Sequence, residues 1–170
     1  MKLSPEDFEK IKSFLSSDKR CMFVTGSAMY NKHKLVMAAL DTLLRDSTIL
    51  FRTNALLNIP VSGFVDWVGV SKIPASGQKY RIYNNYYQFD SMGNSGTRSR
   101  TANYVDCAIV YPAESAILYD KFAPIEELFS RKRVGKVFII VNKNMSLCEC
   151  GNLQKYVDCT LELNDTRARC

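Results

Sequence analysis

The residues best placed to do chemistry lie between positions 22 and 36, Met-Phe-Val-Thr-Gly-Ser-Ala-Met-Tyr-Asn-Lys-His-Lys-Leu-Val. A short apolar run ends at Gly26, and apolar residues at helical spacing begin about five residues later. Where a strand, a short loop and a helix follow one another, loop amides converge with the N–H groups of the first helical turn. That convergence is a ready anion site. Lys32 adds a cation to it, with Ser27 and Asn31 as short polar neighbours. His33 is the only histidine, so any histidine-dependent nucleophile must use it, and a Cys–His pair would need Cys21 or another thiol brought beside it. Glu126 and Glu127 read as a solvated helix face rather than a catalytic pair.

The elements that must position these residues follow from pattern. Ser4-Pro5-Glu6-Asp7 is a helix start, with a hydroxyl cap, proline at the first helical position and acids in the first turn. Phe8, Ile11, Phe14 and Leu15 continue it as one apolar stripe, within an N-terminal helical segment over 1–18. Residues 21–25 are apolar throughout, as a central parallel strand is. Residues 32–45 read as the helix after the loop, and 48–52 as the next strand, which makes a βαβ unit. Residues 79–90 predict a β-hairpin around Asn84-Asn85, followed by a polar, basic loop to 101. Strands are expected at 105–111, 137–141 and 156–163, a helix over 116–131 bent or divided at Pro124, and a frayed tail at 164–170. The whole predicts one three-layer α/β domain over 1–170, a mainly parallel sheet of about five strands with helices on both faces and a hairpin insertion near 79–90.

The register Gly26, four residues, Asn31, Lys32, His33 resembles the phosphate loop G-x-x-x-x-G-K-[ST] of the P-loop nucleoside triphosphatases. The first glycine and the lysine match. Asn31 stands where the second glycine would, and asparagine tolerates a left-handed backbone. His33 replaces the magnesium-binding hydroxyl, and an imidazole is a poor partner for a hard cation. The resemblance also implies a strand ending in an acid that holds magnesium; 105–111 ends in Tyr111-Pro112, with Glu114 just beyond. Residues 137–141 with Asn142 look like the family's next strand, whose polar end senses the γ-phosphate. The order of elements matches over residues 20–163, so the chain resembles a degenerate P-loop domain with an altered Walker A loop and no Walker B acid. It implies a nucleotide site at Gly26, Ser27, Asn31, Lys32 and His33, with ATP or GTP as ligand, no catalytic residue and no metal. The residues alone leave open a generic Rossmann-like domain in which Lys32 is merely a surface residue at a helix start.

A second constellation spans 79–100, where Arg81, Tyr83, Tyr86, Tyr87, Arg98 and Arg100 interleave aromatics with cations. Aromatics stack on bases and guanidinium groups meet phosphates, so the composition suits single-stranded nucleic acid; it equally suits a hairpin packing one face on a core. A formal charge of +6 and a pI near 9.0 favour polyanionic partners, either nucleic acid or an acidic protein. No apolar run reaches the roughly 20 residues of a bilayer span, and the first residues lack a secretory signal, so no membrane partner and a cytoplasmic location are expected. Six cysteines at 21, 107, 148, 150, 159 and 170 read mainly as thiols, since nothing in the sequence gives a secretory context for disulfides; Cys148, Cys150, Cys159 and Cys170 remain open as zinc ligands, although their C-x-C spacing lacks the paired knuckles of structural zinc sites.

Three functions remain in view. The first is a non-hydrolysing P-loop-like protein that works by binding nucleotide, nucleic acid or protein. The second is an active ATPase or GTPase in which Glu114 handles magnesium. The third is a structural or regulatory interaction protein without a ligand.

Overall fold

The computed structural model describes residues 3–28 and 31–164. Helix α1 (Pro5–Ser16) starts as its residues dictate: the Ser4 hydroxyl accepts the Asp7 N–H at 3.1 Å, and Pro5 opens the first turn. Strand β1 (Cys21–Thr25) leads to α2 (Lys32–Leu43), and β2 (Thr48–Thr53) follows. Two short 3₁₀ turns, Leu56–Asn58 and Asp66–Val68, punctuate the irregular stretch before β3 (Tyr80–Ile82) and β4 (Asn85–Ser91). After α3 (Ser95–Arg100) come β5 (Tyr104–Val110), α4 (Glu114–Leu118), α5 (Ala123–Ser130) and β6 (Arg133–Ile140). A 3₁₀ segment, Leu147–Tyr156, returns the chain to β7 (Cys159–Glu162).

The seven strands form one sheet in the order β3-β4-β2-β5-β6-β1-β7, parallel throughout except for β3 against β4. Strand β1 is flanked on both sides, with Val24 opposite Ile140 of β6 and Leu161 of β7. Alternate residues therefore serve two cores. Met22 and Val24 pack with Ile11, Phe14, Val36 and Leu40 under α1 and α2. Cys21 and Phe23 pack with Ile117, Ile125, Leu128 and Leu153 on the opposite face. Burial of both faces is why these strands read as continuous apolar runs. The architecture is three-layer α/β, of the Rossmann and P-loop-like kind.

The hairpin is present but extends the sheet instead of standing apart from it, because β4 runs parallel to β2 over six residue pairs. This adds strands to the roughly five expected. The basic loop expected at 91–101 is also more ordered than its composition suggests. The Asn94 side chain caps α3 by accepting the Gly96 N–H at 2.9 Å, and the Thr97 hydroxyl accepts the Ser91 N–H at 3.0 Å. The helix expected over 116–131 is divided, with Pro124 in the first turn of α5. The expected tail lies outside the described residues after Asn164, as does Cys170. No described helix is long and apolar enough to cross a membrane.

Candidate functional site

In an open parallel sheet, ligands bind in the crevice beyond the carboxyl ends of the strands. Here β1 delivers Gly26 to that edge with φ +107°, and a Cβ on Gly26 would lie 2.3 Å from the Leu163 carbonyl oxygen. Only glycine permits both the backbone conformation and the approach of the chain leaving β7. The two segments are stitched together: the Ala28 N–H donates to the Leu163 carbonyl at 2.9 Å, and the Leu163 N–H to that of Thr25 at 2.8 Å. Asn164 Oδ1 accepts both the amide and the hydroxyl of Ser27, at 3.0 and 3.1 Å. Asn31 has φ −119° and ψ −14°, so the left-handed tolerance expected of it is not used.

Lys32, in the first turn of α2, is fully buried. This corrects the reading of it as a surface residue at a helix start. Its ammonium donates to the Asn142 carbonyl at 2.6 Å. Burial pulls its pKa down to about 8, and the nearby Glu114 carboxylate offsets part of that shift. Glu114 and Asn142 are themselves joined, since Glu114 Oε1 accepts the amides of Asn142 and, at 2.9 Å, Lys143. Asn142 Oδ1 accepts the Tyr111 hydroxyl at 2.6 Å. Lys32, Tyr111, Glu114 and Asn142 thus meet where β6 ends. Among the described residues, Glu114 Oε2 is buried without a hydrogen-bond partner, as are Thr53 Oγ1 and His33 Nδ1.

His33 is a packing residue. Its ring stacks on Tyr111 with centroids 4.0 Å apart, and Nε2 lies 2.7 Å from the Phe64 carbonyl. A carbonyl only accepts, so Nε2 carries the proton and Nδ1 is bare. Burial pushes the imidazole pKa down to about 4, against the upward pull of the Phe64 bond. At the two positions where the resemblance to P-loop proteins would put metal ligands stand a neutral stacked imidazole and the Tyr111 phenol, and these do not suit magnesium, which requires hard oxygen ligands in octahedral array. Among the described residues no three His, Cys, Asp or Glu side chains come together as a metal-binding group.

The second constellation does not assemble. Tyr87 is buried in the core, because β4 is an interior strand and this position faces α2. Arg98 is tied down by Glu127 at 2.7 Å and by the Ser91 and Met92 carbonyls, at the carboxyl end of β4. Arg81, Tyr83 and Tyr86 sit at the other end of that strand, where Arg81 bridges to Asp46 and lies over the Tyr86 ring. Arg100 is exposed at the end of α3.

Two features went unread in the sequence. One is a buried polar network. Arg52 makes a two-pronged pair with Asp90, both bonds 2.7 Å, and reaches Glu127 and the Pro124 carbonyl. Thr101 bonds Asp90, and Lys132 donates to Thr101 and Ala102. Its signal was an arginine inside an apolar strand, a position that requires a buried partner. The other is a cavity of about 610 Å³ at the carboxyl edge, lined by Asn54, Met92, Ser115, Tyr119, Lys121 and Phe122.

Fold and site together define a three-layer α/β protein with a glycine turn and a buried lysine at the carboxyl edge of its sheet. Comparison with protein-family models and with curated proteins finds no match to this chain.

Proposed function

We propose that this is a degenerate P-loop-like protein that binds a nucleotide, ATP or GTP, through Gly26, Ser27, Asn31 and Lys32 without hydrolysing it. The observation that carries this reading is Lys32. A buried ammonium costs several kcal/mol unless it is paired. Here its direct partner is a neutral carbonyl, and no ion pair joins it among the described residues. A phosphate arriving at the loop supplies the missing charge and acceptors, with the Asn142 carbonyl and the Asn164 side chain giving way. His33 and Tyr111 stand where the metal machinery would be, so binding without turnover is the consistent chemistry. A cytoplasmic setting, where these nucleotides are abundant, belongs to the same reading.

Calorimetric titration with ATP and GTP, with and without magnesium, tests it. Micromolar dissociation constants, on the order of −8 kcal/mol, are expected for the native chain, with little dependence on magnesium and no measurable binding to Lys32→Ala. Affinity should also fall roughly tenfold per pH unit above about 8, since the phosphate needs the protonated lysine. No heat with either nucleotide would sink the proposal. A second reading, an active ATPase or GTPase, draws on the unpartnered Oε2 of Glu114 close to Lys32. Phosphate release above background, abolished in Lys32→Ala and Glu114→Gln, would favour it instead.

A further inference from the structure

The opposite, amino edge of the sheet carries a feature that the loop reading does not use. Tyr104 opens β5 and Arg133 opens β6, and the two are register partners. Arg20 immediately precedes β1, the next strand over, and Arg131 closes α5 just before β6. Strands spaced about 4.8 Å apart bring these side chains to one place. With Phe129 they line a depression of about 410 Å³.

Charge and exposure there are one-sided. Arg131 and Arg133 are exposed, and among the described residues neither side chain has a hydrogen-bond or ion-pair partner. Among the described residues the Arg20 guanidinium donates only to the Val134 carbonyl and lies over the Phe129 ring, 5.6 Å from its centroid. Phe129 in turn stacks on Tyr156 at 4.5 Å. The nearby acids are held by hydrogen bonds that direct them away from the arginine side chains while leaving them anionic: Asp158 accepts the amides of Arg20 and Cys21, Asp106 accepts that of Thr48, and Glu126 accepts from Lys155 and the Tyr156 hydroxyl. Tyr104 is 65% exposed, so its ring stands open beside three guanidinium groups.

From this we infer that the amino edge of the sheet is a docking surface for single-stranded nucleic acid, held by Arg20, Arg131 and Arg133 on phosphates and by Tyr104 stacked on a base. Guanidinium forks match phosphate oxygens in pairs. An exposed aromatic among them selects unstacked bases over an acidic peptide, which offers no π-face, and over duplex, whose bases are already stacked. The surface is separate from the loop at Gly26–Lys32, so it stands or falls independently of nucleotide binding there.

The test is fluorescence anisotropy with a labelled oligo(dT) of about 15 nucleotides, run without ATP or GTP. Three phosphate contacts predict a slope of about −2 in log affinity against log salt, reduced by about 1.4 in Arg131→Ala/Arg133→Ala. Tyr104→Ala, an exposed single change, should weaken binding about tenfold or more. Lys121→Ala, which removes one charge from the carboxyl edge, should leave affinity within about twofold. Absence of oligonucleotide binding would overturn the inference. So would equal losses in Lys121→Ala, or polyglutamate competing as well as unlabelled oligo(dT) while Tyr104→Ala has no effect; the last result would assign the surface to an acidic protein.

Discussion

Arg52→Ala should destabilise the protein by about 3–5 kcal/mol, the cost of leaving a buried charge without its partner. Arg52 and Asp90 are both fully buried, on neighbouring strands and in register, and their two bonds of 2.7 Å have the parallel geometry in which a guanidinium and a carboxylate match best. Without the arginine, Asp90 keeps only the Thr101 hydroxyl at 3.0 Å. The Pro124 carbonyl and one Glu127 bond lose their donor as well, which loosens α5 against the sheet. The pair itself is not expected to be worth this much relative to an apolar filling. Arg52→Met with Asp90→Leu removes both charges at once and should recover most of the loss. Chemical denaturation of the three proteins decides the matter. A loss below about 1 kcal/mol in the single variant would show that water reaches Asp90. A double variant as unstable as the single would show that the network, and not the burial of charge, holds the sheet together.

That network also explains why the sequence was legible in some places and opaque in others. Residues 21–25 and 137–141 announce themselves because a strand buried on both faces must be apolar at every position. Strand β4 is buried just as deeply, yet it carries Gln88 and Asp90 on one face, so its pattern looks like a free-standing hairpin. What makes those polar residues tolerable is Arg52, the Gly77 carbonyl and the Ala102 amide, 38, 11 and 14 residues away in sequence. Tyr87 and Arg98 show the same cause: composition left open a nucleic-acid surface or a hairpin face packed on a core, and tertiary pairing put Tyr87 in the core and Arg98 on Glu127. At the loop, the residue types named Gly26 and Lys32 correctly as neighbours of a strand–helix junction, but not what surrounds them. The contacts with Leu163, Asn164 and Asn142 join segments more than 100 residues apart, which no local pattern records.

His33 gives the second large effect, and its sign follows from where the ring sits. The unfolded chain takes up a proton on this residue near its ordinary pKa of about 6.5, whereas burial holds the folded value near 4, with a smaller push in the same direction from Lys34. Between those values the unfolded state binds more protons, so stability falls as pH drops from about 6.5 towards 4. The difference of about 2.5 units corresponds to a loss of about 3 kcal/mol by pH 4. Carboxylates also titrate in the lower part of this range, so the informative quantity is the difference between the native protein and His33→Phe, which keeps a ring on Tyr111 and cannot titrate. That variant should be less stable at pH 7.5, because the Phe64 carbonyl loses its donor, and the gap should narrow or reverse on acidification. Since His33 is the only histidine, its ring signals can be followed by NMR without assignment of others. A ring that titrates near 6.5 in the folded protein would mean that the imidazole is hydrated and the stack with Tyr111 open. His33 would then be available as a hydrogen-bonding or cationic group to a ligand at the loop, although its nitrogen would remain a poor ligand for magnesium.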